Sequence, residues 1–248
     1  MSEKEIEVRH LTFQYEQNDA VLQDVSFQAE SGEAIGLIGA NGAGKSTLLK
    51  LLVGLQLQFE GSILIKGLSM EKGNLERIRA DIGYVFQDSD SQLFMTTVSE
   101  DVAFAPANYG LPPEEVGRRV QSALERVHIA HLKEKSIYKL SGGEKKLVSI
   151  ATILSMTPDI ILMDEPSAAL DPRNRRNLIE VVNELDPLKI IASHDLDFIR
   201  DTCGRVILLD SGVLVKDGPA ERILTDRALL EEHGLELPLS LQSAGRDS

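Results

Sequence analysis

The chain has 248 residues, of which 42% are hydrophobic, with 39 acidic and 26 basic side chains and a formal net charge of −13. This size suits one large α/β domain or two small ones, and the acidic balance disfavours a protein that binds nucleic acid. A single cysteine, Cys203, excludes an intrachain disulfide framework, and no apolar run approaches the roughly 20 residues that cross a bilayer, so we expect a cytoplasmic protein.

The first part of the chain alternates between strand patterns and turns. Apolar and polar residues alternate in two early stretches, and short apolar runs bounded by glycine follow them. The predicted strands are residues 8–13, 21–27, 34–38, 61–65 and 82–86, and one helix is predicted from Lys45 to about Val53.

Helical patterns replace the strands from about residue 89 to residue 155, which predicts a helical insert. Its second helix is rich in charge and covers 114–127, and after the insert strands and helices alternate again. This alternation implies an α/β fold with a mostly parallel sheet covered on both faces, and after Thr225 we expect one short helix and then loose chain. The later elements are predicted as strands 160–163, 189–193 and 205–210 and as helices after Pro172 and Asp195.

A glycine-rich loop joins the strand at 34–38 to the following helix. Successive backbone N–H groups of such a loop wrap a phosphate, helped by the helix N-terminus, so the loop predicts a nucleotide site. Lys45 is expected to reach the β- and γ-phosphates, and Ser46 to offer its hydroxyl to Mg²⁺. A chance glycine-rich turn is the weaker interpretation. The predicted nucleotide-binding residues are Gly39, Asn41, Gly42, Ala43, Gly44, Lys45, Ser46 and Thr47.

Two acidic residues follow the apolar run at 160–163. Asp164 is expected at the carboxyl edge of the sheet, where α/β folds bind ligands, and there it would join the Mg²⁺ sphere through water. Glu165 comes one residue later and is placed to accept a proton from an attacking water. The alternative is a solvated acidic pair that caps a helix at Pro166.

Six motifs follow one another in a fixed order that resembles the ATP-binding-cassette ATPases over nearly the whole chain. The resemblance implies an ATPase with a P-loop NTPase core, an N-terminal antiparallel β part and the helical insert, in a single domain over 1–248 with a short tail from about 225. The motifs are the glycine loop, Gln87, Leu140-Ser141-Gly142-Gly143-Glu144, the run ending in Asp164-Glu165, Ala169-Leu170-Asp171 and His194.

The resemblance also implies roles that local pattern does not give. Gln87 would touch the metal and the attacking water, so it joins Glu165 as a catalytic residue and joins Ser46 and Asp164 as a metal contact. His194, also a catalytic residue, would contact the γ-phosphate. Without the resemblance, a glutamine after a strand is an ordinary loop residue, and a lone histidine is a core or surface one.

Two further groups of residues are expected to bind nucleotide. Ser141, Gly142 and Gly143 open a helix with free N–H groups, and the resemblance implies that they bind the γ-phosphate of a second ATPase subunit, with a homodimer favoured. Tyr15 resembles the aromatic residue that stacks on adenine, while a half-buried strand tyrosine explains it equally well.

Residues 87–94 and 97–111 are similar to the energy-coupling-factor ATPases, although Ala105 stands at a usual glycine. The signature element and the ending at 230–238 look most like the cobalt and nickel branch, with Glu144 where many members have glutamine and Leu147 where arginine is common. The resemblance implies an importer subunit at the cytoplasmic face of the membrane, without nucleic acid. Its partners would be an integral membrane coupling subunit and a substrate-binding membrane subunit.

Other functions remain as alternatives, and one of them is the ATPase of another type of ABC importer. A soluble cassette ATPase acting on DNA or ribosomes would favour coiled-coil insertions, zinc modules or tandem cassettes, and a P-loop kinase would not need the Leu-Ser-Gly-Gly element. The spacing of His128 and His131 fits a solvated helix face better than zinc. Leu93 and Phe94 are predicted to form a surface that receives a partner's helix, and the alternative is that both pack inside the insert.

Overall fold

Two β-sheets and a group of helices make up the part of the chain described by the computed structural model, residues 4–15 and 21–242. The strands of the first sheet are β1 (Lys4–Phe13), β2 (Leu22–Glu30), β4 (Glu60–Ile65) and β5 (Leu68–Ser69). Those of the second are β3 (Ala34–Ile38), β6 (Ile82–Val85), β7 (Ile160–Asp164), β8 (Leu188–Ala192), β9 (Arg205–Asp210) and β10 (Val213–Pro219).

Helices cover the second sheet and fill the region between β6 and β7. They are α1 (Lys45–Leu52), α2 (Leu75–Asp81), α3 (Val98–Asn108), α4 (Pro113–Arg126), α5 (Gly142–Leu154), α6 (Pro172–Asn183), α7 (Leu196–Thr202), α8 (Ala220–Leu224), α9 (Arg227–Glu232) and α10 (Leu239–Gln242). Among the residues described, none of these helices is both long and apolar enough to cross a membrane.

The sheet topology confirms the predicted fold class. The first sheet is antiparallel, in the order β2-β1-β4-β5, and the second has the order β10-β9-β3-β8-β7-β6, with parallel pairing except between β9 and β10. Every residue of β7 and β8 is buried, as expected for strands covered on both faces. The ends of β3, β7 and β8 meet at one edge of this sheet, which is where such folds bind ligands.

Side chains of β7 alternate between two hydrophobic cores. Ile160 and Leu162 pack in the core shared with α1 and the antiparallel sheet, whereas Ile161 and Met163 pack in the core shared with α5. This alternation is the period-two rule of a strand, and it directs Asp164 toward α1.

The helical insert predicted over about 89–155 is present as α3, α4 and α5, which pack on one another. A capping box starts α3: the Thr97 hydroxyl accepts from Glu100 N–H, and the Glu100 carboxylate accepts from Thr97 N–H. The side chain of Leu93 is only 6% exposed and lies in the core of this region.

The C-terminal tail differs from its prediction of one short helix and loose chain. Two helices, α9 and α10, are present, and the Asp197 carboxylate on α7 accepts hydrogen bonds from Leu239 N at 2.8 Å and Ser240 N at 3.2 Å. Helix α10 has four residues, too few to show a helical period in the sequence. The carboxylate that it contacts lies about forty residues earlier in the chain. Strands β5 and β10 and helices α2 and α8 were likewise missed.

Candidate functional site

A cavity of about 440 Å³ lies at the carboxyl edge of the parallel sheet. It brings together the glycine loop, Gln87 beyond the end of β6, Glu165 directly after β7 and His194 after β8, all of them predicted site residues. Its lining consists of Val21, Asn41, Gly42, Ala43, Gly44, Lys45, Ser46, Thr47, Gln87, Glu165 and His194.

The conformation of the loop requires glycine at its two ends. Gly39 has φ 151°, and a Cβ there would lie 2.2 Å from the Leu209 carbonyl oxygen. Gly44 has φ 100°, and a Cβ there would lie 2.7 Å from Leu22 Cδ2. Because α1 begins directly after Gly44, the loop curls over the helix N-terminus, where backbone N–H groups can bind an anion.

The Lys45 ammonium lies inside this curl. Its Nζ donates to the carbonyl oxygens of Gly39 at 2.6 Å and Ala40 at 3.1 Å. Burial lowers the pKa of Lys45, and the neighbouring Glu165 and Asp164 carboxylates oppose that shift. The ammonium therefore stands at the centre of the loop, beside the two acidic residues.

Asp164 and Ser46 form a compact oxygen cluster. The Ser46 hydroxyl donates to Asp164 Oδ1 at 2.9 Å, and the Tyr84 hydroxyl donates to Asp164 Oδ2 at 3.3 Å. Burial raises the pKa of Asp164, so a cation beside it would favour its charged form. A hydroxyl and one carboxylate fit Mg²⁺, which takes few protein ligands and completes its sphere with water and phosphate oxygens.

Glu165 is hydrogen-bonded to the segment that follows β8. Its Oε2 accepts from Ser193 Oγ at 3.2 Å and from His194 N at 3.3 Å, and it lies 2.8 Å from His194 Nδ1. Glu165 has φ 46°, a left-handed conformation that is costly for a residue with a side chain and common at functional sites. Glu165, the predicted general base, thus contacts His194, the residue predicted to contact the γ-phosphate.

The backbone at Gln87 is fixed although the residue itself is exposed. Lys146, on α5, donates from Nζ to the carbonyl oxygens of Phe86 at 3.0 Å and Gln87 at 2.8 Å. Burial lowers the pKa of Lys146 to about 8. Sequence reasoning missed this residue, and its one signal was a lysine on the otherwise apolar face of a helix.

Ser141, Gly142 and Gly143 lie away from the cavity that holds Lys45. Ser141 caps α5 in a capping box with Glu144, and it lines a different cavity of about 590 Å³. Ser141 and Gly142 are exposed, whereas Gly143 is buried and packs so closely that a Cβ would lie 2.3 Å from Asn174 Cγ. The structure therefore does not join these residues to the glycine loop of the same chain.

Lys135 makes an ion pair with this capping box. Its Nζ lies 2.9 Å from Glu144 Oε1, while Glu144 Oε2 accepts from Ser141 N at 2.7 Å. The Glu144 carboxylate, at a position where glutamine is common, is thus balanced by the Lys135 ammonium on the loop before α5.

Tyr15 lies next to the site but does not line the cavity. Its side chain is partly buried, its hydroxyl is 3.4 Å from Thr47 Oγ1, and its ring packs edge-on against Phe13 with centroids 4.8 Å apart. The adenine contact stays a prediction.

The adjacent residues Leu93 and Phe94 have different environments. Phe94 is 60% exposed and packs edge-on against Phe104, with ring centroids 4.7 Å apart. The prediction that both residues form a docking surface is wrong for Leu93, which is buried. Asp101, which sequence reasoning missed, fixes this turn by accepting from Phe94 N at 3.0 Å and Met95 N at 2.9 Å.

An apolar groove of about 270 Å³ begins at Phe94. We call it the α3–α5 groove. It is lined by Arg79, Ile82, Gly83, Tyr84, Gln92, Phe94, Asp101, Phe104, Ala105, Tyr109, Thr152, Ile153, Met156 and Pro158.

One of the two histidines discounted as a zinc site, His128, lies beside a carboxylate. His128 Nε2 lies 3.4 Å from Glu184 Oε2, and both side chains are at least half exposed.

Comparisons with known proteins agree with this geometry. Residues 22–168 match the family model described as ABC transporter. A putative ABC transporter ATP-binding protein of Gloeobacter violaceus is 48% identical over 236 residues, which cover 94% of this chain and 97% of that protein. The energy-coupling factor transporter ATP-binding protein EcfA of Carboxydothermus hydrogenoformans is 41% identical over 237 residues, with 94% and 87% covered.

A solved structure gives the same result. The chain is similar to cbiO1 from Clostridium perfringens, described as part of the ABC transporter complex cbiONQ, with a TM-score of 0.84 and 33% identity. The match covers 93% of this chain and 94% of that one.

Proposed function

Because this chain belongs to the ABC transporter family of ATP-binding proteins, which are ATPases, we propose that it is the ATP-hydrolysing subunit of an energy-coupling-factor importer. The observation that carries the proposal is the position of the α3–α5 groove. It lies beside the loop of Gln87, so one short segment touches both the ATP cavity and an exposed apolar surface.

In this proposal the phosphates of ATP bind the N–H groups of the glycine loop and the Lys45 ammonium. Ser46, Asp164 and Gln87 would hold Mg²⁺, which would neutralise charge on the phosphates. Glu165 accepts the proton of the attacking water, and the two hydrogen bonds to its Oε2 hold the carboxylate in place. His194 faces the same oxygen and contacts the γ-phosphate.

A second copy of the chain completes the site. Ser141 and Gly142 are exposed at the start of α5 and outside the cavity of their own chain, so we propose that they bind the γ-phosphate held by the partner. Every motif is present in one chain, which favours a homodimer. We also propose that residues 1–248 form a single ATPase domain.

The α3–α5 groove would receive a helix of an integral membrane coupling subunit at the cytoplasmic face of the membrane. Phe94 and Tyr109 are 60% and 53% exposed, and ATP binding alone does not explain apolar rings in this place. A helix with an apolar face fits such a groove. A separate membrane subunit would bind the solute, for which cobalt or nickel is proposed on the resemblance of the signature element and the ending.

Phe94→Asp tests the docking of the membrane subunit. Phe94 has 60% of its surface exposed, so the variant should fold and hydrolyse ATP yet fail to co-purify with the membrane subunit from detergent extracts. Leu55→Asp is the matched control, because Leu55 is 49% exposed and does not line the groove. Normal assembly of Phe94→Asp, or loss of assembly in both variants, would refute the docking site.

A further inference from the structure

Lys146 is a buried cation whose hydrogen bonds go to the backbone of the Gln87 loop. Only 3% of its surface is exposed, and its two acceptors are the carbonyl oxygens of Phe86 and Gln87. A buried ammonium is unfavourable unless hydrogen bonds replace its water, and bonds from a charged donor are stronger than neutral ones. The two carbonyls are therefore held where α5 places the ammonium.

The rest of the loop is bound to the same helix. Gln92 donates from Nε2 to the Ser149 carbonyl oxygen at 2.7 Å and to Thr152 Oγ1 at 2.9 Å, and its Oε1 accepts from Phe86 N at 3.2 Å. The loop from Phe86 to Gln92 thus has both of its ends hydrogen-bonded to α5. A displacement of α5 should therefore displace the backbone of this loop as well.

From these contacts we propose that Lys146 is a positioning residue for catalysis: it fixes the main chain from which the Gln87 side chain would reach the attacking water and the metal. The inference rests on the role proposed for Gln87. Since α5 begins next to Ser141, the helix that fixes Gln87 in one ATP site also carries the residues proposed to bind the partner's γ-phosphate. A shift of α5 on one side would then move Gln87 on the other.

Lys146→Met keeps the length of the side chain and removes its donors. In the nucleotide-free protein, amide hydrogen exchange of residues 86–92 should become faster, because the loop has lost two of its anchors. The kcat for ATP hydrolysis should fall about 10- to 100-fold, since small misplacement of a catalytic group is costly. The KM for ATP should change by less than about twofold, because the phosphate loop is untouched.

A double-mutant cycle with Gln87→Ala separates positioning from a general loss of stability. If Lys146 acts through Gln87, the double variant should be no slower than Gln87→Ala alone. Lys189→Met is the matched control: Lys189 is also buried, at 6% exposed, and its ammonium bonds the Leu185 carbonyl oxygen, far along the chain from the Gln87 loop. It should leave the exchange of residues 86–92 unchanged.

The outcomes are distinct. Unchanged exchange at 86–92 in Lys146→Met, or kcat losses that multiply in the double variant, would overturn the role of Lys146. Full activity of Gln87→Ala would instead refute the role proposed for Gln87 itself. If Lys146→Met does not fold, Lys146→Gln takes its place: its amide keeps a donor, but the shorter side chain should no longer reach both carbonyls, so exchange and kcat should change in the same direction by a smaller amount.

Discussion

Replacing Glu165 with glutamine is the most direct test of the proposed chemistry. The substitution keeps the shape of the side chain and removes its ability to accept a proton. The amide oxygen can still accept from Ser193 Oγ and His194 N, which bond Oε2 in the native chain at 3.2 and 3.3 Å. Folding should therefore change by less than about 1 kcal/mol, the value of a typical net hydrogen bond.

The effect should appear in turnover. Loss of a general base costs about 10²- to 10⁴-fold in rate, which corresponds to about 3–5 kcal/mol of activation free energy. Nucleotide affinity should stay near that of the native chain, because Lys45 and the glycine loop are unaltered.

Phosphate release measures turnover, and a fluorescent nucleotide measures binding, since the chain has no tryptophan. Glu232→Gln, at an exposed position on α9, is the control and should behave as the native chain. Turnover of Glu165→Gln within tenfold of the native rate would refute the assignment of Glu165 as the base.

Three further predictions concern binding, dimerisation and reactivity. Lys45→Ala should weaken ATP binding itself, measured with the same fluorescent nucleotide, and unchanged affinity would contradict the phosphate contact. Lys135→Met should weaken ATP-driven dimerisation about two- to fivefold, because it leaves the Glu144 charge unbalanced at a helix N-terminus proposed to bind phosphate. The double variant Lys135→Met/Glu144→Gln should restore dimerisation. A double variant that dimerises as weakly as Lys135→Met would refute this role of the ion pair. Burial raises the pKa of Cys203 to about 11, so a thiol reagent at pH 8 should label it only after unfolding; rapid labelling of the native chain would contradict this burial.

Local sequence patterns predicted the parts of the site that lie within one strand, loop and helix. The glycine loop was identified because its conformation depends on its own residues, and Asp164 and Glu165 because a buried strand ends there. The sheet then places these segments together at one edge, which is a property of parallel strands in general.

Contacts between distant segments were not predictable in the same way. Lys146 meets carbonyls about sixty residues away, and its helix pattern alone gives a lysine on an apolar face. The tail helix α10 depends on Asp197, more than forty residues earlier. Leu93 and Phe94 are neighbours that turn toward opposite environments, one buried and one exposed, because Asp101 fixes the bend between them and α3.

The alternation of side chains along β7 determines which of two consecutive acidic residues faces α1 and which faces the segment after β8. Asp164 continues the face of Ile160 and Leu162 and so meets Ser46 on α1, while Glu165 leaves the strand with φ 46° and turns toward His194. Inserting or deleting one residue in this five-residue strand would exchange the two faces. The sequence Asp-Glu would survive such a change unaltered, yet the carboxylate beside Ser46 would become that of Glu165, the proposed proton acceptor. A motif search would still report an intact site in a protein that had lost it.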